Sequence, residues 1–373
     1  MIHDFVFWFK REMRLFWKNP IMKVLYLGGP ILYGALFGAV YQKGKVTGLP
    51  LVVVNKDQSP MSDELVDLLS EVEALSINEI KYEPLNLHEV LMAQKAYAVV
   101  IIPVDFERDL LRGYPPEVNT YINNANILPA NYAYRALATA IGTFSVMKTV
   151  ASGRKVEAVH LNTFRLFNPS SNYFLFIWPS YLAIILQSVV MVVLALSFAA
   201  EREMNTHQHS IPRRTSVIPM MFGKLTLYWL LGGIILFIYG LYFVLFKQTL
   251  PLRIYPLLMV SLLFIVSNSF IGMIAGLLFK SQLRSLQFLM VLSMPIYIAS
   301  GFSWPLDQGG WESILFSSLF PFMPFVNGLR ILLIENGQLG DISDYLLLQL
   351  VQLILYILIA FCIVKIQWKA KST

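Results

Sequence analysis

Six stretches of the chain, at 21–41, 174–199, 222–246, 255–279, 285–304 and 345–366, are almost continuously apolar. Each matches the ~20 residues of helix needed to cross a bilayer core. Ahead of them, residues 1–20 alternate differently. Phe5, Trp8, Phe9, Met13, Phe16 and Trp17 recur at spacings of three and four, while Lys10, Arg11, Arg14 and Lys18 fall between them. That is the pattern of a basic amphipathic helix lying in the membrane interface; the other reading is the opening turns of a long first span. The pattern predicts an all-α membrane body of six transmembrane helices, with a mixed α/β domain inserted between helices 1 and 2.

That inserted region, 43–172, has the composition of a soluble domain. Leu49–Asn55 and Tyr97–Pro103 are Val/Ile-rich runs expected of buried strands, and Ile77–Tyr82 and Val118–Asn123 read as further strands. Helices are predicted over Met61–Ala74, Leu87–Gln94, Asp105–Arg112 and Pro129–Lys155, with Ser59 and Ser62 as candidate caps for the first. Gly113 and the Pro115–Pro116 pair stop the third.

Composition strengthens the membrane reading. Of 373 residues, 56% are hydrophobic and only 14% charged, and mean hydropathy is +0.60. A soluble chain carries about 25% charged residues. The single cysteine, Cys362, excludes an intrachain disulfide framework or a CxxC redox pair. No cleavable signal peptide is expected, because the first apolar stretch is long and lacks a small-residue cleavage site. The net charge of +6 is unevenly spread. With the N-terminus in the cytoplasm, the segments on that side hold a large excess of cations, including Lys10, Arg11, Arg14, Arg213 and Arg214. The segment 305–344 on the other side is acidic, through Asp307, Glu312, Glu335, Asp341 and Asp344. By the positive-inside rule both termini are cytoplasmic and the 43–172 domain is extracytoplasmic. The charge is thus explained by topology, and no nucleic-acid partner is needed.

Candidate chemistry is sparse. The nearest approach to a phosphate loop, Gly38-Ala-Val-Tyr-Gln-Lys-Gly44-Lys45-Val46, has the wrong spacing and no hydroxyl after its lysine. His207 and His209, two apart, fall on different faces of any helix and read as solvated loop residues. No GxSxG string or hydrolase-like order is present. No catalytic residue, bound cofactor or metal site is therefore expected. Gln187, Asn268, Gln287, Gln349 and Gln352 lie at membrane depth without a charged residue mid-span. They read as interhelical hydrogen-bonding groups or as part of a substrate path. The absence of an intramembrane carboxylate argues against ion-coupled transport. Two GxxxG strings, Gly34–Gly38 and Gly272–Gly276, signal close helix packing without identifying a dimer face.

Two further segments stand out. The second span ends in Ser197-Phe-Ala-Ala-Glu-Arg-Glu-Met-Asn-Thr206, a charged element suited to dock a cytoplasmic partner. Beyond the fifth span, Ser300-Gly-Phe-Ser-Trp-Pro-Leu306 leads to an apolar helix at Trp311–Leu319 and then to Phe320-Pro-Phe-Met-Pro-Phe-Val-Asn-Gly-Leu-Arg330. This stretch is too apolar for a free loop and too broken by proline to span, which suggests helices re-entering the outer leaflet. Together these features resemble the membrane subunit of a type-two ABC exporter, over nearly the whole chain. Asn55-Lys-Asp-Gln-Ser-Pro60 is similar to that family's turn after the first domain strand, and Phe106-Glu-Arg-Asp-Leu-Leu-Arg-Gly113 to its short helix after the central strand. Phe167-Asn-Pro169 resembles its lead-in to span two, and Glu201-Arg-Glu203 its coupling motif. Ser300, Gly301, Pro305, Pro321 and Gly328-Leu-Arg330 resemble its outer re-entrant signature. One departure stands out: members usually continue the coupling motif with Gly-Thr and an acidic helix. Here Met204-Asn-Thr206 runs into His-Gln-His-Ser-Ile-Pro-Arg-Arg.

The resemblance implies a permease of the bacterial inner membrane that is not itself an enzyme. ATP would be bound by a separate cytoplasmic ABC ATPase, and a second permease copy or paralogue would complete the transporter. It implies coupling through Glu201, Arg202, Glu203 and Thr206 of the 201–216 loop, with Trp8, Arg11 and Trp17 on the interfacial helix. It implies an outer gate at Gly301, Pro305, Pro321 and Arg330 within 305–330. Membrane lipid and a periplasmic adaptor are the remaining partners, and drug-like amphiphiles the expected multidrug-efflux cargo. The competing class is a non-transporting membrane receptor or assembly scaffold whose outer domain binds a ligand.

Overall fold

The computed structural model describes residues 1–83, 96–123, 127–151, 168, 172–203, 217–246, 254–279, 281–304, 306–308 and 310–369. The chain divides into two compact units, Met1–Gly44 with Arg165–Thr373, and Lys45–Phe164.

The first unit is helical. Helix α1 (Ile2–Lys18) ends at Asn19, whose side chain accepts from the backbone N–H groups of Ile21 and Met22 and so starts α2 (Pro20–Lys23). A π turn, Val24–Gly28, joins α2 to α3 (Gly29–Tyr41). In the second unit, strands β1 (Leu49–Asn55), β2 (Leu75–Lys81), β3 (Ala98–Ile102) and β4 (Asn119–Ile122) form one sheet, in the order β2-β1-β3-β4. The first three are parallel and β4 is antiparallel to β3. Helices α4 (Pro60–Ser70), α5 (Phe106–Arg112) and α6 (Ile127–Ala151) are the helices among its described residues. Alternate strand residues Leu51, Val53, Val100 and Ile102 pack with Leu65, Leu69, Phe106, Leu137 and Phe144 of these helices. Val52, Val54 and Val99 are buried on the sheet's other face.

The Asn55–Pro60 turn owes its composition to hydrogen bonding. The Asn55 side-chain oxygen accepts from the backbone of Asp57 and Gln58, while its amide donates to Ser62 and Asp63. Asp57 accepts from the N–H groups of Phe106 and Glu107 at 3.0 and 3.1 Å, supplying the cap that opens α5. Ser59 and Ser62 cap α4 reciprocally, so both expected caps are used. The helix expected at Leu87–Gln94 lies outside the described residues.

The first unit resumes with α7 (Tyr173–Glu203), α8 (Val217–Leu245), α9 (Ile254–Leu278), α10 (Gln282–Ala299), α11 (Trp311–Ser318), α12 (Phe322–Leu333) and α13 (Ser343–Lys369). Asn168 exchanges two hydrogen bonds with the Asn172 backbone, and Asn172 in turn caps α7. This gives the Asn of the Phe167-Asn-Pro169 string a structural role. Both GxxxG strings are consumed inside the chain. A Cβ on Gly272 would lie 2.8 Å from Met191 Cα, and one on Gly276 would lie 2.6 Å from the Ala195 carbonyl oxygen, so α9 and α7 touch backbone to backbone. Gly34 packs on Tyr242 and Leu182, and its carbonyl accepts from Trp178 Nε1 at 3.1 Å.

Among the described residues, five helices are long and apolar enough to cross a membrane: Pro20–Tyr41, Tyr173–Glu201, Ile218–Leu245, Ile254–Leu278 and Gly340–Gln367. The span expected at 285–304 is present as a helix with an earlier end. Its helix, α10, stops at Ala299 after 18 residues, about 27 Å at ~1.5 Å per residue. With Arg284 and Gln287 exposed on it, α10 is not among the five. The sixth candidate is the pair α11 and α12, bent by 90°. Its break frees three carbonyls, and α13 answers them: Gln352 donates to Ser318 and Phe320 at 2.7 and 3.2 Å, and Tyr356 donates to Leu319.

Candidate coupling site at the N-terminal helix

Residues four apart on a helix share a face. On α1 that rule brings Trp8, Glu12 and Phe16 together, and all three are buried. The stripe expected from Phe5 to Trp17 is therefore only half right. Met13 and Trp17 point outward, and Trp17 is 53% exposed. The buried face instead includes a carboxylate, Glu12, flanked by two aromatic rings. Phe16 meets Tyr26 and Tyr228 edge-on, and the backbone of α1 passes so close to Gly223 that a Cβ there would lie 2.9 Å from the Phe5 carbonyl oxygen. Helix α1 is thus docked on α8 rather than free in an interface.

The same spacing operates on two other helices. Ser197 and Glu201 are neighbours on α7, and Lys224 and Tyr228 are neighbours on α8. The three helices converge on one network. Ser197 and Tyr228 donate their hydroxyls to Glu12 Oε1, the latter at 2.7 Å. Lys224 Nζ lies 3.4 Å from Glu12 Oε2 and 2.9 Å from Glu201 Oε1. Arg11 closes the chain with an ion pair to Glu201. Lys224 is fully buried, and its ammonium sits 4.2 Å above the Phe198 ring; the Arg11 guanidinium lies 5.0 Å over Trp8. Two cations and two carboxylates alternate, so the cluster is formally neutral. Charges taken out of water are tolerated only when paired, as Lys224 is here by its two carboxylates.

Of the residues expected to couple, Trp8, Arg11 and Glu201 belong to this network. Trp17 does not; it is largely exposed, and its ring meets that of Phe16 edge-on at 5.5 Å. Glu203 is two residues from Glu201, which turns it ~200° around the helix. There it accepts from the backbone N–H and side-chain amide of Gln282 at 3.3 and 3.0 Å, capping α10. The two glutamates thus tie the end of α7 to different neighbours. Arg202 is on the helix, but its side chain and Thr206 lie outside the described residues, as do His207 and His209. Glu12, Lys224 and Tyr228 were not singled out in the sequence, and Ser197 entered only as the first residue of the span-two element. An acid in the middle of an aromatic stripe and a lysine within an apolar run were the available signals.

The outer residues occupy the turn after α10 and the ends of α12. Gly301 adopts φ +83°, a conformation open to glycine, with the Leu306 side chain against it. Its neighbour Ser300 accepts from Asn327 of α12 at 3.0 Å. Pro321 forms the N-cap of α12 at the bend; Arg330 lies in its last turn, 4.0 Å from Glu335. Pro305 lies outside the described residues. Of the membrane amides, Gln352 bonds the bend as described and Asn268 donates to its own helix at Phe264. Gln187 and Gln349 are buried, and Gln287 is exposed.

Comparison with known proteins places this architecture. Residues 22–364 match the family described as ABC-2 family transporter protein. The chain is 24% identical over 284 residues to the inner membrane transport permease YhhJ of Escherichia coli K12, covering 72% of each protein. It is 22% identical over 224 residues to the probable multidrug ABC transporter permease YbhR of the same strain, and this match spans 60% of each length. A helical body with five to six candidate spans agrees with a membrane subunit of such a transporter. The chain belongs to the ABC-2 family of transporter proteins, as a permease component.

Proposed function

We propose that this chain is the permease half of an ABC exporter of the bacterial inner membrane. Two permeases pair around the substrate path, and a separate cytoplasmic ATPase supplies the energy. The second unit, Lys45–Phe164, stands on the extracytoplasmic side, where it gates the exit or docks an adaptor. Drug-like amphiphiles are the cargo. The names of YhhJ and YbhR and the distribution of basic residues support this reading.

The observation that carries it is the buried Arg11–Glu201–Lys224–Glu12 network. A force applied to α1 or to the end of α7 reaches α8 through charges that cannot separate cheaply in a low dielectric. It reaches α10 through the Glu203 cap. ATPase closure against α1 and the 201–216 loop would therefore move several membrane helices together instead of bending one.

The test is co-expression with an ABC ATPase from the same genome, co-purification, and ATP-driven efflux of fluorescent amphiphiles from proteoliposomes. Glu201→Gln is expected to retain the ATPase while lowering efflux per ATP hydrolysed at least tenfold. If no ATPase co-purifies, or if Glu201→Gln and a scrambled 204–216 loop transport like the parent, the exporter reading fails.

A further inference from the structure

Helices α7, α8, α9 and α12 enclose an apolar cavity of about 100 Å³ that no part of the coupling argument uses. Pro179, Leu186, Gly240, Leu257 and Phe325 line it, together with Tyr239. Three features make it a site rather than a packing gap. Tyr239 is buried, yet its hydroxyl has no hydrogen-bond partner among the described residues. A Cβ built on Gly240 meets nothing within 4 Å. Leu258, also in the lining, is 45% exposed, so the cavity reaches the surface between α8 and α9. The surface beside it is apolar, with Phe237, Leu241 and Leu262 exposed. What enters from that side is therefore hydrocarbon.

Depth narrows the occupant further. Helix α8 has 29 residues and is about 43 Å long at ~1.5 Å per residue. Centred on a ~30 Å hydrocarbon core, it extends ~7 Å beyond each face. Tyr239 is six residues, or ~9 Å, from the Leu245 end. Its position is thus ~2 Å inside the hydrocarbon boundary, at the end of the body away from the charge network. Glycerol esters sit at that boundary. An apolar cavity of ~150 Å³ stays dry and accepts a benzene-sized apolar guest, so this one suits a short run of methylenes better than water.

We propose that the cavity holds the first methylenes of a phospholipid acyl chain, with Tyr239 donating its hydroxyl hydrogen to the ester carbonyl. The site is distinct from the coupling network and stands whether or not the exporter reading does, because it rests only on the chain spanning a membrane.

The test uses the full chain in bilayers of phosphatidylethanolamine and phosphatidylglycerol, doped with a phospholipid bearing a photoactivatable diazirine on its upper acyl chain. Adducts are expected to concentrate on residues 236–243 and 257–261. Gly240→Phe, which fills the cavity, should reduce them at least fivefold. Gly233→Phe, at another glycine of α8 whose Cβ would meet open space, should leave them unchanged. In competition, diester lipid should label the parent about fivefold better than the matched diether, the effect of one net hydrogen bond; Tyr239→Phe should erase that preference without changing elution from a sizing column. Adducts spread evenly along α8 and α9, labelling indifferent to Gly240→Phe, equal labelling by diester and diether, or crosslinks from this face to a second permease would each overturn the proposal.

Discussion

Replacing Lys224 by methionine tests whether the buried network holds α1 to the membrane body. Methionine preserves the aliphatic stem against Phe198 and removes the charge. Lys224 makes contacts of 2.9 and 3.4 Å to two carboxylates, each worth roughly 5 kcal/mol gross at an effective dielectric of about 20. Much of that is offset by the desolvation of the ammonium, which the variant no longer has to bear. What remains is a cluster of Glu12 and Glu201 facing Arg11 alone, with one uncompensated buried negative charge. Breaking a buried pair in this manner costs about 3–5 kcal/mol. Glu12→Gln alone leaves the opposite imbalance, while its amide oxygen can still accept from Ser197 and Tyr228. The double variant is neutral again, so its cost should fall below the sum of the single changes by about 2 kcal/mol or more, well beyond the ~0.5 kcal/mol within which independent sites add. The assay is equilibrium unfolding in mixed micelles with rising dodecyl sulfate, run on all four proteins as a double-mutant cycle. Strict additivity, or a Lys224→Met protein as stable as the parent, would refute the claim that these charges act as a unit.

Two other consequences test the membrane packing. Gly272→Leu must push its side chain into the backbone of Met191, so α7 and α9 have to separate. Overpacking costs typically ~1–3 kcal/mol even where side chains can yield; thermal unfolding in detergent should show a clearly lowered midpoint, with Gly233→Ala close to the parent. At the α11–α12 bend, Gln352→Leu combined with Tyr356→Phe leaves three carbonyls without their partners on α13. At ~1–3 kcal/mol for each unsatisfied group, hydrogen exchange of the amides in 316–325 should accelerate at least tenfold, and unchanged protection would show that the bend is held by something else.

The organisation of the chain was largely legible before any coordinates. Apolar run length is a local property, and five of the six expected spans are helices within a few residues of their expected bounds. The alternation of Val-rich runs with capped helical segments likewise anticipated strands β1 and β3 and the helices after them, while their parallel pairing appears only in the structure. The family followed from the order of its motifs. Helix α10 was misjudged at its far end because apolar residues continue past Ala299, where Gly301 at positive φ turns the chain and Asn327 holds the turn.

The partners of charged groups were not legible, because they are chosen by which helix faces meet. Glu12 reads in sequence as one more acid in a cytoplasmic segment, and Lys224 as a basic residue at a span's edge. Only the docking of α1 on α8, permitted by Gly223, brings them within 3.4 Å of each other and removes both from solvent. The same holds for Glu201 and Glu203, a single motif in sequence. Helical rotation turns one toward Arg11 and Lys224 and the other toward the start of α10. Periodicity and charge bias, being summed along the chain, determined what this protein is made of. Which buried charge meets which depends on contacts between distant segments, and the tertiary structure alone decided it.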